Sequence, residues 1–375
     1  MTAVARLTLT RFRNYRSARL EAGPEPVVLT GTNGAGKTNL LEALSFLSPG
    51  RGLRRARLEE VETASAPGAV SEGWAVAVSL ANGVEIGTGS VPGAGAGRER
   101  RQVRIDGQAA RSQTALADQL SVLWLTPQMD RLFVEGGGGR RRFLDRLVFG
   151  FDAAHAGRLS RYEHAMRERG RLLREGRRDP GWLAALEDQM ATGGVAVAAA
   201  RREVAARLSA ACAAGIGPFP KAELGVSGSL EDRLADLPAL PVEDEVRVRL
   251  RDSRRADAET GGAALGPHRS DFQVRWRKGD GPPLAAESCS TGEQKALLLA
   301  IVLANARLLA EAATGPPLLL LDEVAAHLDC GRRAALFEEI LALGGQAWLT
   351  GTDAALFEAL KGRARFISIS DGRVF

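Results

Sequence analysis

The segment from Gly31 to Asn39 contains residue types that could hold a chain of phosphates. It fits the pattern G-x-x-x-x-G-K-[ST], in which glycines let consecutive backbone N–H groups point towards an anion. Lys37 would reach the β- and γ-phosphates of a nucleotide, and Thr38 would bind Mg²⁺ through its hydroxyl. The alternative is a glycine-rich turn that happens to carry a lysine. The residues that we predict to bind the nucleotide here are Gly31, Thr32, Asn33, Gly34, Ala35, Gly36, Lys37, Thr38 and Asn39.

Two carboxylates follow the apolar run Leu318–Leu321. In P-loop folds the carboxylate that supports Mg²⁺ lies at the end of such a buried strand, which is the position of Asp322. The neighbouring Glu323 could orient and activate an attacking water. We therefore predict Asp322 as a metal residue, and Glu323 and Lys37 as catalytic groups. The alternative is a strand that simply ends in two solvated acids.

A second possible anion site lies at Ser290-Thr291-Gly292-Glu293. A serine hydroxyl, a glycine backbone and a helix N-terminus together favour an anion. Because one triphosphate needs only one cradle, we predict that Ser290, Gly292 and Glu293 face the γ-phosphate held by a second copy of the chain. The alternative is an ordinary N-cap in which Glu293 completes a capping box, and both interpretations can hold together.

The elements that would position these residues are short apolar strands alternating with helices, which indicates a parallel sheet with crossover connections. Residues 72–108 differ, because their alternating pattern and the Asn82-Gly83 pair predict antiparallel strands and a hairpin. The predicted fold class is α/β, with a mixed or antiparallel β subdomain. The predicted parallel strands are Val27–Leu29, Val122–Leu125, Leu318–Leu321, Ala347–Thr350 and Phe366–Ile369.

The domain organisation follows from a change of pattern after the four glycines Gly136–Gly139. Helix-forming residues dominate from there to about residue 214, and Asp179-Pro180-Gly181 should divide them into two long helices. A chain of 375 residues has room for two domains, or for one with a large insertion. We predict an ATPase lobe of residues 1–138 and 263–375, with an inserted α-helical lobe of residues 139–262.

Composition narrows the class of protein. An apolar content of 45% allows a substantial core, and no apolar run is long enough to cross a bilayer, so we expect no membrane partner. Three widely separated cysteines indicate a reducing compartment, hence the cytoplasm. The net charge of +5 suits a nucleic acid partner, although a genome-wide compositional habit could produce the same bias.

In chain order the phosphate loop, the Ser-x-Gly-Glu signature, the Asp-Glu pair and the turn at Asp329 resemble ABC-type ATPases. Glutamate at signature position Glu293 resembles the SMC-like branch that serves DNA repair and chromosome maintenance. Four blocks narrow the resemblance to the RecF family of bacterial replication and repair proteins, over essentially the whole chain. These blocks are Phe12–Tyr15, Gly34–Asn39, Arg140–Asp145 and Gly266–Asp271, of which the last two are the most discriminating.

This resemblance implies a weak ATPase that uses ATP and Mg²⁺. It implies a homodimer that forms with ATP, binds gapped or duplex DNA and promotes loading of RecA, with RecR-like and RecO-like mediators as partners. It also implies a Q-loop role for Gln128 near the γ-phosphate and metal, and a D-loop role for Asp329. Thr352 lies where transporter ATPases usually have histidine, which favours a slow, switch-like ATPase.

For DNA we predict arginine contacts to phosphates, which carry little sequence preference. The alternative is that these arginines form a solvated or inter-helix face. An alternative function is the ATPase subunit of a membrane transporter, against which the long separation of Lys37 from Ser290 argues. A third possibility is a non-catalytic scaffold with a structural nucleotide. The predicted DNA residues are Arg51, Arg54, Arg55, Arg57, Arg140, Arg141 and Arg142.

Overall fold

The computed structural model describes residues 3–63, 71–90, 100–176, 179–279, 281–312 and 315–375. The chain divides into two compact units. Unit 1 comprises Met1–Asp130, Ile216–Phe219 and Thr291–Phe375, and unit 2 comprises Arg131–Gly215 and Pro220–Ser290.

Strands occur in both units and are numbered in chain order. They are β1 (Val4–Phe12), β2 (Tyr15–Glu21), β3 (Val27–Thr30), β4 (Trp74–Leu80), β5 (Glu85–Ser90), β6 (Arg101–Ile105), β7 (Gln108–Ala109), β8 (Val122–Leu125), β9 (Ala222–Ser227), β10 (Asp271–Trp276), β11 (Leu284–Ala285), β12 (Leu318–Leu321), β13 (Ala347–Gly351), β14 (Arg365–Ser370) and β15 (Arg373–Val374).

The helices are numbered in the same way, and short 3₁₀ turns lie between them. The α-helices are α1 (Lys37–Ser45), α2 (Gly137–Phe149), α3 (His155–Arg174), α4 (Pro180–Ala214), α5 (Ser229–Asp236), α6 (Ala239–Asp252), α7 (Arg254–Thr260), α8 (Thr291–Ala310) and α9 (Cys330–Ala342). The 3₁₀ helices are Leu58–Glu60, Gln113–Asp118, Pro127–Arg131, Ala286–Ser288, Val324–His327 and Ala354–Leu360.

The central sheet of unit 1 has the order β15-β14-β3-β13-β12-β8. Strands β14, β3, β13, β12 and β8 pair in parallel, and only β15 is antiparallel, at one edge. All residues of β8, β12 and β13 are buried, as expected for parallel strands covered on both faces. The helix α8 is also buried along most of its length, which explains its nearly continuous apolar sequence.

A second sheet of unit 1 is antiparallel, with the order β2-β1-β4-β5-β6-β7. Its β4–β5 hairpin turns through Ala81, Asn82 and Gly83, where the N–H of Gly83 donates to the carbonyl of Leu80 at 2.9 Å and Gly83 alone of the three has a positive φ, of 92°. This is a three-residue loop with glycine in the left-handed region, since a two-residue type I′ turn needs a positive φ at both central residues. One face of β4 is buried and the other exposed, so the alternation in the sequence corresponds to a half-buried strand. The predicted α/β fold class, with a parallel sheet and an antiparallel β subdomain, is therefore confirmed.

Unit 2 combines helices α2–α7 with a small antiparallel sheet of order β11-β10-β9. Its long helix α4 begins at Pro180, and the carboxylate of Asp179 accepts hydrogen bonds from the N–H groups of Gly181 and Trp182. This is the break between two long helices that the sequence predicts. Inside the unit, Arg169 is 1% exposed and pairs with Glu187 at 2.9 Å and Asp257 at 2.7 Å.

The division into units differs from the predicted boundaries at residues 131–138 and 263–290, which lie in unit 2, and at residues 216–219, which lie in unit 1. Strand β10 pairs along its whole length with β9, and helix α2 packs on β10, so the first two of these segments lie in unit 2. The pairing joins segments far apart in the chain, and no local pattern announces it. None of the helices in the described part of the chain is long and apolar enough to span a membrane.

Candidate nucleotide site

The phosphate loop connects β3 to α1 in unit 1. Thr32, Asn33 and Gly34 form its exposed tip, and α1 begins at Lys37 without an acidic residue in its first turn. The positive end of the helix is therefore not neutralised locally. The ammonium group of Lys37 donates to the carbonyl oxygens of Gly31 at 2.7 Å and Thr32 at 2.9 Å. When a nucleotide binds, its phosphate oxygens would compete with these two carbonyl oxygens for the Lys37 ammonium group.

Side chains from the turn between β1 and β2 and from the start of β2 hydrogen-bond to this loop. The amide of Asn14 donates to the carbonyl of Ala35 at 3.1 Å, and the hydroxyl of Tyr15 donates to the carbonyl of Gly36 at 3.1 Å. Asn39 in α1 completes the contact by donating to the side-chain oxygen of Asn14 at 2.7 Å. With these carbonyls held by side chains, peptide N–H groups on the opposite side of the loop would be available to an anion.

The other end of the candidate site joins α1 to the end of β12. The hydroxyl of Thr38 donates to the Asp322 carboxylate, with oxygen–oxygen distances of 2.9 and 3.1 Å. The buried hydroxyl of Thr350 in β13 donates to the same carboxylate at 2.7 Å. Glu323 is half-buried beside it and has a φ of 51°. A hydroxyl and a carboxylate in direct contact are hard oxygen ligands of the kind Mg²⁺ prefers, so the residues fit this ion.

Charges at this end influence one another. Burial raises the pKa of Asp322, and the hydrogen bonds from Thr350 and Thr38 act against that rise. Burial lowers the pKa of Lys37, while the negative charges of Glu323 and Asp322 act in the opposite direction. The site thus places one cation and two acids in a poorly solvated setting, where a bound cation is stabilised strongly.

Two other predicted residues lie on the turns that follow neighbouring strands. Gln128 is exposed in the 3₁₀ helix Pro127–Arg131, which follows β8. The carboxyl end of β8 lies beside the carboxyl end of β12. Asp329 is exposed just before α9, where its carboxylate accepts the N–H of Arg332 at 2.8 Å. Asp329 therefore caps a helix. The hydrogen bonds in the described residues bring neither side chain to Thr38 or Asp322.

The signature residues are accessible. Ser290, Thr291 and Gly292 are exposed and Glu293 is half-buried at the start of α8. A Cβ added at Gly292 would meet open space. This exposure is what the predicted contact with a second copy needs.

Sequence reasoning missed an ion-pair cluster behind α1. Glu42 is fully buried and accepts both Nε and Nη2 of Arg13, at 2.8 and 2.6 Å. Arg54, predicted to contact DNA, donates to Glu42 at 2.8 Å and to Asn39 at 2.6 Å. A glutamate on the apolar side of α1 was the available signal, since a buried acid requires a partner.

The predicted DNA arginines of unit 2 have internal partners. Arg140 binds both carboxylate oxygens of Asp271, at 2.8 and 2.9 Å, and also donates to backbone carbonyls. Arg141 donates to the carbonyl of Ser270 at 2.7 Å. Arg142 is exposed. The Arg140 block and the Gly266–Asp271 block are thus parts of one packed structure.

The remaining predicted arginines are in unit 1. Arg51 and Arg55 are exposed, and the side chain of Arg57 is 75% exposed with Glu59 at 3.8 Å. A surface pair at that distance contributes little and leaves the guanidinium open to solvent. These three residues differ from Arg54, whose donors are directed at α1.

The strand–loop–helix cradle, the two acids that follow a nearby parallel strand and the signature helix together define the head of an ABC-type P-loop ATPase. A family model described as the RecF/RecN/SMC N terminal domain matches residues 3–358. The chain is 51% identical over 375 residues to the DNA replication and repair protein RecF of Brucella suis biovar 1 (strain 1330), covering 99% of this chain and 96% of the relative. It is 50% identical over 373 residues to the protein of the same name from Rhizobium meliloti (strain 1021), covering 99% and 98%. The chain therefore belongs to the RecF family of DNA replication and repair proteins.

Solved structures agree on the fold. A structure described as the recombination mediator protein RecF-ATPrS in the RecFOR pathway has a TM-score of 0.83 at 20% identity, covering 100% of this chain and 97% of that one. A second, described as RecF-ATP in the same pathway, has a TM-score of 0.79 at 22% identity, covering 100% and 99%. The predicted ABC-type head fold of the RecF and SMC kind is confirmed, and the transporter alternative finds no support among these relatives.

The phosphate loop provides a matched pair of substitutions. Gly36 has a φ of 119°, and a Cβ there would lie 2.5 Å from the Tyr15 hydroxyl and 2.7 Å from the Asn14 amide. Gly34 has a φ of 82° with nothing within 4 Å. Both changes to alanine should cost about 1–2 kcal/mol of backbone strain, because both positions have a positive φ. Gly36→Ala also displaces the supporting side chains of Asn14 and Tyr15. We therefore expect its ATP affinity to be about tenfold lower than that of Gly34→Ala, or about 1.4 kcal/mol.

Equilibrium titration with a fluorescent ATP analogue would measure both variants, with thermal unfolding as a check on folding. Equal affinities for Gly34→Ala and Gly36→Ala would show that Asn14 and Tyr15 do not fix the loop.

Proposed function

We propose that this chain is an ATP-dependent DNA-binding switch of replication and repair. Two copies close on ATP, hold DNA, and release it after hydrolysis to ADP and phosphate. The observation that best supports the proposal is the direct contact of Thr38 with Asp322 beside a phosphate cradle. Two solved structures of the same fold are described as RecF-ATPrS and RecF-ATP, which supports ATP as the ligand of this site.

The chain's own residues divide the work of hydrolysis. Lys37 would exchange the carbonyls of Gly31 and Thr32 for phosphate oxygens. Thr38 and Asp322 would hold Mg²⁺, which neutralises phosphate charge when bound. Glu323 would orient the attacking water and accept its proton. Because phosphoryl transfer depends mainly on positioning and charge, these groups suffice.

The second copy would supply the signature. Ser290 and Gly292 are exposed and precede or begin α8, so both could approach the γ-phosphate of another subunit. Asp329 is exposed as well and would lie near the same contact. Each composite site then needs the cradle of one copy and the signature of the other, which makes the dimer depend on ATP.

A mixing experiment tests the composite site. Lys37→Met removes the cradle cation and Ser290→Arg blocks the signature, so each variant alone should form no ATP-dependent dimer and show no ATPase activity. Mixed in equal amounts, they should restore one intact site per heterodimer and recover part of the wild-type activity. Analytical ultracentrifugation and phosphate release would measure both.

The control is the double variant Lys37→Met/Ser290→Arg mixed with wild type. In that heterodimer the wild-type cradle faces the mutated signature and the wild-type signature faces the mutated cradle, so neither site is intact. Activity of this mixture should come from its wild-type homodimers alone. A mixture of single variants that stays inactive and monomeric, although each variant is folded, would refute the composite site.

Glu323→Gln separates a hydrolase from a scaffold whose nucleotide is structural. The amide cannot accept the proton of the attacking water, so we expect a fall in turnover of about 10²–10⁴-fold with ATP still bound. The variant should accumulate as an ATP-bound dimer in size-exclusion chromatography with light scattering. For a scaffold, wild type and Glu323→Gln would have the same fraction of dimer after prolonged incubation with ATP.

DNA binding in this proposal uses exposed arginines of unit 1. Arg51, Arg55 and Arg57 are accessible, whereas Arg54, Arg140 and Arg141 would first have to leave acidic or backbone partners. Contacts to phosphate release counterions, so affinity should fall steeply with salt and vary little with sequence.

We therefore expect the triple change of Arg51, Arg55 and Arg57 to serine to weaken DNA binding about equally on all sequences. The slope of log affinity against log salt should fall by about 2–3. Fluorescence anisotropy with gapped, duplex and single-stranded DNA at several salt concentrations, with ATP present, measures this. The matched control replaces Arg249, Arg251 and Arg255, exposed arginines of unit 2, by serine. If this control loses as much affinity and slope as the test variant, the assignment is wrong.

We also propose a downstream role, which membership of the RecF family supports. The switch would act in the cytoplasm, at gapped DNA, and would promote loading of RecA together with RecR-like and RecO-like mediators. The three cysteines, Cys212, Cys289 and Cys330, are free thiols, which suits that compartment.

A further inference from the structure

Thr350 occupies a special place in the central sheet. Its strand β13 lies between β3, which leads into the phosphate loop, and β12, which leads into the two acids. Thr350 itself is opposite Leu29 of β3, and the preceding Leu349 is opposite Leu321 of β12. The side chain is fully buried. A residue on this strand can therefore reach the ends of both neighbouring strands.

The hydroxyl of Thr350 makes two directed hydrogen bonds. It donates to Oδ1 of Asp322 at 2.7 Å and accepts the backbone N–H of Glu323 at 2.9 Å. A hydroxyl has one hydrogen to donate, and this one gives it to the acid proposed to hold Mg²⁺. Its acceptor side holds the acid proposed to activate water.

The second bond has a conformational consequence. Glu323 has a φ of 51° and a ψ of 26°, a left-handed conformation that residues with a side chain rarely adopt. Such a conformation persists only where the surroundings hold it. The bond from the Glu323 N–H to Thr350 fixes the peptide between the two acids, and with it the direction in which the Glu323 side chain leaves the backbone.

The first bond addresses a different need. Asp322 is also bound by Thr38, whose hydroxyl is itself a proposed ligand of the metal. When Thr38 turns to that task, Asp322 loses one of its two hydroxyl donors. Thr350 does not face this competition, because its only donated bond is to Asp322. It can therefore keep the carboxylate oriented in both states.

We propose that Thr350 is a positioning residue that orients Asp322 for the metal and Glu323 for the attacking water through one hydroxyl. The inference rests on the proposed ATPase function. The alternative is that Thr350 is a buried core residue whose hydroxyl only satisfies its own hydrogen bonds, in which case it contributes to folding and not to the site.

Thr350→Val and Thr350→Ser separate these alternatives. Valine keeps the shape and removes the hydroxyl, whereas serine keeps the hydroxyl. We expect Thr350→Val to lower kcat by about 10–100-fold, and to raise the Mg²⁺ concentration for half-maximal activity by a similar factor. KM for ATP should change by less than about threefold, because the phosphate cradle is untouched. Thr350→Ser should recover most of the wild-type kcat and Mg²⁺ dependence.

A measurement without turnover complements the kinetics. The affinity for a non-hydrolysable ATP analogue, with and without Mg²⁺, gives the contribution of the metal to binding. Thr350→Val should bind the analogue like wild type without Mg²⁺ and lose most of the gain with Mg²⁺. This readout remains valid if the wild type proves not to hydrolyse ATP, a result that would overturn the proposed function but not the positioning role.

A folded Thr350→Val with wild-type kcat and a wild-type Mg²⁺ gain would overturn the inference. If Thr350→Val does not fold, Thr350→Cys takes its place, since a thiol is a weak donor and acceptor in the same position. The Mg²⁺ gain of Thr350→Cys should then lie below that of Thr350→Ser, and equal gains would equally overturn the role of the hydroxyl.

Discussion

The hydrogen bond between Thr38 and Asp322 joins two residues 284 positions apart, and the candidate site depends on it. It can form because β3, β13 and β12 are neighbours in a parallel sheet, so their carboxyl ends meet at one edge. These strands are buried on both faces, and a slip in their register would direct core side chains to the wrong side. The packing that fixes the register therefore also fixes the distance between the phosphate loop and the acids.

The antiparallel sheet contributes to the site through a single turn. Asn14, between β1 and β2, and Tyr15, the first residue of β2, hold the carbonyls of Ala35 and Gly36. A peptide whose carbonyl is bound on one side presents its N–H on the other, which is the arrangement that an anion requires. Tyr15 is fully buried, and burial raises the pKa of its hydroxyl, so this group remains a neutral donor. The sheet thus acts as a support for the loop.

Local patterns in the sequence sufficed for much of this architecture. Apolar runs predicted the parallel strands, and residue type and spacing predicted the phosphate loop, the acids and α8. Short elements are less predictable: Ala354–Leu360 form a 3₁₀ helix and not an α-helix, and in a segment of one or two turns propensity and packing are in close balance. The pairing of β9 with β10 and the two bonds of Thr350 were inaccessible, since each joins distant segments. No periodicity within one segment encodes the partner that it meets.

The arginines show where chemistry limits an interpretation drawn from motifs. Arg140 belongs to a block typical of a DNA repair family, yet its guanidinium binds Asp271 in a bidentate pair and is 15% exposed. Transferring it to a DNA phosphate would leave Asp271 without that partner, and the gain at the phosphate would be offset by the loss. A guanidinium that is already solvated, such as that of Arg57, gives up only water and loosely held ions. Exposure and the absence of a strong internal acid are therefore better criteria for a DNA contact than the density of arginines in the sequence, and they favour Arg51, Arg55 and Arg57 over Arg54 and Arg140.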